Sequence, residues 1–179
     1  MTKMAPLLER NEQFSRGYQA ITLAPPAAQV LILTCLDHRV DPAITLGLKL
    51  GDAPVLRNAG GRVNQPVIEE IAYLGFLGPR LSGGQLPPGT AVEVAVIHHT
   101  QCGTGFLADA DFRREASEAT GVDEASLAAT AVDDPRATVA ADVERLLASP
   151  LLPPQMGVSG HVYDVETGRV TTITDARHR

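Results

Sequence analysis

The chain has 179 residues and a mass of 18.9 kDa, enough for one compact domain with a substantial core. Hydrophobic residues make up 44% and charged residues 20%, a balance that sets it apart from disordered chains. A formal net charge of −6 and an aromatic content of 4% without Trp argue against a basic nucleic-acid surface and against a base-stacking platform.

No apolar run approaches the roughly 18 residues of a membrane span, and MTKMAPLLERNEQF carries charge too early for a secretory signal. The expectation is a cytoplasmic protein with no membrane partner. In that reducing compartment thiols serve as ligands or nucleophiles, and a disulfide between them would need an oxidising one.

Residues 5–18 place Leu7, Leu8, Phe14 and Tyr18 at loose helical spacing before Pro25 and Pro26. Val30 to Thr34 is a continuous apolar run, short enough for a buried parallel strand. Asp41 and Pro42 suit a helix start, as N-cap and first helical residue. Ala53 to Leu56 predicts a second strand running into RNAGG, and Asn64 caps a helix over 64–77. SGGQLPPGT reads as a loop leading to a strand over Ala91 to His98. Residues 104–120 and 134–148 carry helical patterns, and Val158–Val165 and Arg169–Ile173 flank ETG as a terminal strand pair. Strands alternating with helices predict a single α/β domain: a mostly parallel central sheet, covered on both faces and flanked by helices, with an antiparallel C-terminal strand. The N-terminal helical arm is expected to span about 1–20 of a domain covering 1–179.

The two cysteines are the only ones in the chain, and each ends a strand-like run. Cys35, Asp37 and Arg39 alternate in CLDHRV, and HHTQCG sets His99 three residues before Cys102. If the first segment stays extended, Cys35, Asp37 and Arg39 address one cleft while Leu36 and His38 point away. Two thiolates and an imidazole form a soft three-ligand set that suits zinc with one coordination position left for water or substrate. If the first and third strands are neighbours, both half-motifs meet beyond their carboxyl ends. Apart, each motif reads as a small core cysteine or a loop histidine; together they point to metal. The Cys35-to-Arg39 spacing is too short for the phosphate loop of a cysteine-dependent phosphatase.

His98 reads as a group supporting the metal ligands from behind or as a strand-end residue, and the strand-end reading is favoured. Arg57 faces the cleft, faces a subunit interface, or caps a loop. Gly60, Gly61, Gly103 and Gly105 are expected to permit tight turns near the metal.

CLDHR and HTQC, with RNAGG between them and GHVYDVETGRV near the end, resemble the β-class carbonic anhydrase family in order and across residues 30–173. The resemblance implies a small α/β zinc hydrolyase that interconverts carbon dioxide and bicarbonate, acting as a homodimer or higher even oligomer. Cys35, His99 and Cys102 match the family's zinc ligands, and Asp37 and Arg39 its carboxylate–guanidinium pair. Gly61 stands where many members carry Asn, and the absence of Trp departs from members with a tryptophan-containing bicarbonate pocket. Relatives with the same motifs hydrolyse carbon disulfide or carbonyl sulfide, so these activities, and a non-catalytic zinc-binding role, are the alternatives. Retention of Asp37 and Arg39 weighs against the last.

Overall fold

The computed structural model describes residues 2–83 and 92–179. The loop expected over SGGQLPPGT lies, from residue 84 onward, outside the described residues.

The N-terminal helix α1 spans Ala5–Ser15 and buries none of its residues. Strand β1 (Val30–Cys35) is followed by α2 (Pro42–Thr45), a single turn in which the Asp41 carboxylate accepts from Ala43 N at 2.9 Å. Strand β2 occupies Val55–Asn58, about two residues later than the apolar run suggests. Beyond a short 3₁₀ turn at Ala59–Gly61, α3 runs from Gln65 to Leu81, with the Asn64 side chain accepting from Val67 N at 3.1 Å. It extends past Leu77 through Gly78 and Pro79.

Strand β3 (Glu93–His99) leads into a 3₁₀ turn at Gly103–Ala108 and helix α4 (Ala110–Thr120). The helix expected over 104–120 is thus broken at Asp109, whose side chain turns to cap Phe112 N at 2.8 Å. Helix α5 (Glu124–Thr130) has no counterpart in the sequence reading, because its seven residues bury nothing and show no apolar stripe. Helix α6 covers Pro135–Ala148, capped by Asp134. Strands β4 (Gly157–Tyr163) and β5 (Val170–His178) close the chain.

The five strands lie in the order β2-β1-β3-β4-β5. The first four are parallel, and β5 pairs antiparallel with β4. From β1 the chain crosses to β2 on one side and later to β3 on the other. Strand order therefore reverses at β1, and a crevice opens beyond the C-terminal ends of β1 and β3.

Helix cover is uneven. Both long helices join one cluster, in which Val67 and Ile71 of α3 and Val139 and Val143 of α6 meet Leu31, Leu33, Val94 and Val96. These strand residues alternate with Ile32, Ala95 and Ile97, which form a separate cluster packed by Leu48 and Ala53. The sheet is flanked by helices as expected, and on this second face Leu48 and Ala53, from the segment between α2 and β2, pack against it. There α2 stops after one turn, and Gly47 follows with φ +67.

Candidate metal centre

Strand β1 ends at Cys35, and the next residues turn instead of extending: Val40 N donates to Asp37 O at 3.1 Å. Asp37 and Arg39 thus come together through a turn, and Leu36 and His38, expected to point away, line the same cleft. The Arg39 side chain grips Asp37 from two nitrogens, Nε to Oδ1 at 3.0 Å and Nη2 to Oδ2 at 2.6 Å. Its backbone N–H adds a third bond to Oδ1 at 2.9 Å. Such a two-pronged, charge-assisted contact fixes the carboxylate plane as well as its charge. It holds the Asp37 carboxyl well below the usual range, against the opposing effect of burial.

Arg39 Nη2 also donates to the carbonyl of Gln101 at 2.9 Å, which ties the first motif to the second. Gln101 sits in the left-handed region with φ +53, uncommon for a non-glycine residue. That conformation folds the chain between His99 and Cys102 back on itself. The turn is anchored to β4 by Thr100 N donating to Tyr163 O at 3.0 Å.

The result is a buried cluster of three donors. One ligating atom each from Cys35, His99 and Cys102 lie within 4.8 Å of one another, a grouping without a second example among the described residues. The two sulfurs are 3.9 Å apart. A tetrahedral ion with metal–sulfur bonds near 2.3 Å would hold two thiolates about 3.8 Å apart, so the sulfurs are already spaced for one. His99 Nδ1 lies 2.9 Å from Thr100 O, so this nitrogen carries the proton and donates to the carbonyl. His99 Nε2 is left as a buried lone pair without a hydrogen-bond partner. A histidine with one ring nitrogen held by a carbonyl and the other free is arranged as metal ligands are. The donor set therefore fits a soft or borderline cation.

The charges in the cluster depend on one another. The hydrogen bond between the thiols pushes Cys35 up and Cys102 down, so that a single proton is held between them. Burial is the largest single effect and pushes His99 down, but the Cys102 sulfur, the Thr100 carbonyl and the Asp37 carboxylate together outweigh it and the net shift is upward. Asp37 Oδ2 stands 4.0 Å from His99 Nε2, outside the three-donor cluster and turned toward Arg39.

Arg57 caps a loop. It donates from Nε to Cys35 O at 3.0 Å and from Nη2 to Asp37 O at 2.7 Å, securing the backbone on either side of Leu36. Gly61, with φ +67, has no room for a side chain: a Cβ there would lie 2.9 Å from Cys35 N. The turn thus presses on the ligand strand. Gly103, by contrast, has open space around it and no positive φ.

A cleft of about 390 Å³ opens over the cluster, bounded by Leu36, Ala59, Gly103 and Thr104. A second, apolar cavity of about 240 Å³ is lined by Leu31, Leu74, Val92 and Met156, and its lining includes no ionisable side chain. The chemistry belongs to the first.

Sequence reasoning missed the partners of His98. His98, read as a strand-end residue, is fully buried, with Nδ1 2.9 Å from Thr138 Oγ1 and Nε2 3.3 Å from Asp142 Oδ2. The signal was present in α6: Asp142 stands inside the buried series Val139, Val143 and Leu146, at helical spacing.

No family model matches the chain. Beta-carbonic anhydrase 1 of Mycobacterium tuberculosis is 30% identical over 174 residues, which cover 97% of this chain and 99% of that protein. The carbonic anhydrase structure from Streptococcus mutans superposes with a TM-score of 0.79 at 34% identity, covering 97% of this chain and 99% of that one. A carbon disulfide hydrolase of Acidithiobacillus thiooxidans is 28% identical over 167 residues, 82% of this chain and 77% of that protein.

Proposed function

The chain belongs to the β-carbonic anhydrase family, and on that premise we propose that it catalyses the reversible hydration of carbon dioxide to bicarbonate and a proton, using zinc held by Cys35, His99 and Cys102. The observation that carries this reading is a three-donor cluster with an ionised carboxylate held just outside it by Arg39. When bound, zinc supplies a Lewis acid that brings the deprotonation of water into the neutral range.

The chain's own residues supply position and charge. Two thiolates and a neutral imidazole give a soft donor set of net charge minus two. Asp37 offers a fixed hydrogen-bond acceptor beside the cluster, and it orients the attacking water by accepting a hydrogen bond from the water O–H. Arg39 keeps Asp37 ionised and turned away from the ligand position, which leaves that position for water. The apolar side chains of Leu36 and Ala59 bound the cleft where a small uncharged substrate would sit.

The sulfur-substrate reading has a specific basis in the carbon disulfide hydrolase relatives. The carbonic anhydrase reading is favoured because that similarity spans nearly the whole of the mycobacterial protein, against 77% of the hydrolase. The unit is read as one zinc domain over 1–179, working in the cytoplasm as a homodimer or higher even oligomer. Support for self-association comes from α1, which exposes Leu7, Leu8 and Phe14 and buries none of its residues. No helix among the described residues is long and apolar enough to cross a membrane.

The test combines metal analysis with parallel assays on carbon dioxide, carbonyl sulfide and carbon disulfide. The expected outcome is about one zinc per chain and rapid hydration of carbon dioxide, with the sulfur compounds poorer substrates. Turnover of carbon disulfide without hydration of carbon dioxide would reverse the assignment.

A further inference from the structure

Behind the metal cluster lies a second buried polar group to which the proposed reaction assigns no part. Asp142 of α6 is 1% exposed. Its carboxylate accepts from Arg62 Nε at 2.7 Å, from Arg62 Nη2 at 3.2 Å and from the backbone N–H of Val63 at 3.1 Å. His98 Nε2 stands 3.3 Å from the same carboxylate but is not aligned as a hydrogen bond. Burying a carboxylate and a guanidinium is costly, and an apolar pair of similar volume is often as stable or more so. The group therefore invites an explanation other than stability.

Its contacts supply one. Each arm of the network ends on the backbone behind a different metal-ligand candidate. Arg62 and Val63 follow the turn whose Gly61 lies against Cys35 N, so the bonds from Asp142 pin the turn that presses on the first ligand. His98 is the neighbour of His99, and its ring is bonded to Thr138 of the same helix and packs beside Asp142. Arg62 Nη1 bonds to the carbonyl of Ala131. The adjoining carbonyls of Thr130 and Val132 pack against Gly60 and Gly105, and Gly105 belongs to the turn that follows Cys102. One helix thus reaches the supports of all three donors, through the Asp142 carboxylate and through Thr138.

We infer that Asp142, bonded to Arg62 and the Val63 backbone and packed beside His98, is a positioning residue that sets the spacing of Cys35, His99 and Cys102 for a metal ion. The inference rests on the metal reading of that cluster. Asp142 does not touch the site; it fixes the segments that carry it, as outer-shell partners of metal sites do.

The experiment uses cobalt(II) as a spectroscopic probe and zinc as the competitor, on three proteins: the parent, Asp142→Asn, and the double variant Arg62→Met/Asp142→Leu. The double variant removes both buried charges together, so it is expected to fold even if Asp142→Asn, which leaves Arg62 unpaired, does not. Thermal denaturation, the cobalt d–d and thiolate charge-transfer bands, and zinc affinity by chelator competition are measured on each. The expected result is that the double variant recovers parental thermal stability but binds zinc at least roughly tenfold more weakly and shows displaced cobalt bands. Parental bands and zinc affinity in a folded variant would overturn the positioning role, leaving the network purely structural. A parent protein that takes up neither metal would overturn the metal reading itself, and this inference with it.

Discussion

Strand β3 carries a polar cluster at each end, half-buried at its start and buried at its close, and the two are built on opposite plans. At its start Glu93 accepts from the hydroxyl of Ser159, which in turn lies 2.8 Å from His161 Nε2. Ser159 has one hydrogen, committed to Glu93, so His161 Nε2 must donate to Ser159 and Nδ1 must accept from Thr172, 3.2 Å away. The chain of bonds closes on itself with a neutral imidazole. At the other end, roughly 20 Å along the strand, His99 has a partner on Nδ1 only, and two sulfurs face its free nitrogen. A buried polar atom without a partner is costly unless something outside the chain satisfies it. The closed cluster is architecture. The open one is a place for a ligand.

The largest expected effect comes from breaking the open cluster. Cys35→Ser or Cys102→Ser should reduce bound zinc from about one per chain to a small fraction, because a neutral hydroxyl replaces a thiolate donor. Ser159→Ala in the closed cluster should leave zinc content unchanged while costing about 1–3 kcal/mol of stability, since Glu93 loses its buried partner. Metal analysis beside chemical denaturation separates the two, and a Cys35→Ser protein with full zinc would remove the distinction between them.

A smaller effect is expected at the rim of the open cluster. Asp37→Asn should keep its metal but lose about a hundredfold in hydration rate, the scale of losing an oriented group at a reacting centre. Arg39→Ala should lose activity by another route, because Asp37, released, can move into the donor cluster. The cobalt spectrum distinguishes the routes: unchanged bands for Asp37→Asn, altered bands for Arg39→Ala. Full hydration activity in zinc-loaded Asp37→Asn protein would count against the proposed role of the carboxylate.

The same contrast explains what the sequence could and could not reveal. Cys35, His99 and Cys102 were legible because they are rare residue types placed where apolar runs end, and parallel strand order brings those ends together. The strands themselves were legible because β1 and β3 are buried on both sides and read as unbroken apolar runs. Asp142 was marked only by its place at helical spacing among Val139, Val143 and Leu146, and its partner Arg62 lies on another element, so the pair shows only once the helix is docked. The shortness of α2 escaped for a similar reason. Asp41-Pro42 announces a helix start, but its length depends on Gly47, whose positive φ appears only in three dimensions. The Ser159–His161–Glu93 chain is built across two adjacent strands, and strand pairing is what places Glu93 beside it.

The smallest effect is a pH dependence, and it sharpens the claim that the first cluster is closed around a neutral histidine. Burial pushes His161 below its ordinary value, outweighing the pull of the Glu93 and Asp175 carboxylates toward the charged form. The unfolded chain therefore binds more protons at this residue than the folded one as pH falls below about 6.5. It follows that stability rises with pH through this window: the contribution is full above the unfolded value and is lost as pH drops toward the folded one. His161→Gln cannot titrate, yet its amide can still donate to Ser159. Urea midpoints compared at about pH 7.5 and about pH 5.5 should fall further for the parent than for His161→Gln, while both retain the same zinc content at neutral pH. The other acid-sensitive groups cancel in that comparison. Asp142, whose carboxyl is held low by His98 and Arg62 against the larger effect of burial, contributes only at more acid pH, where it too would be shared by both proteins. Equal loss of midpoint in the two proteins would mean that His161 is not held neutral by the fold, and the cluster at the start of β3 would then be as open as the one at its end.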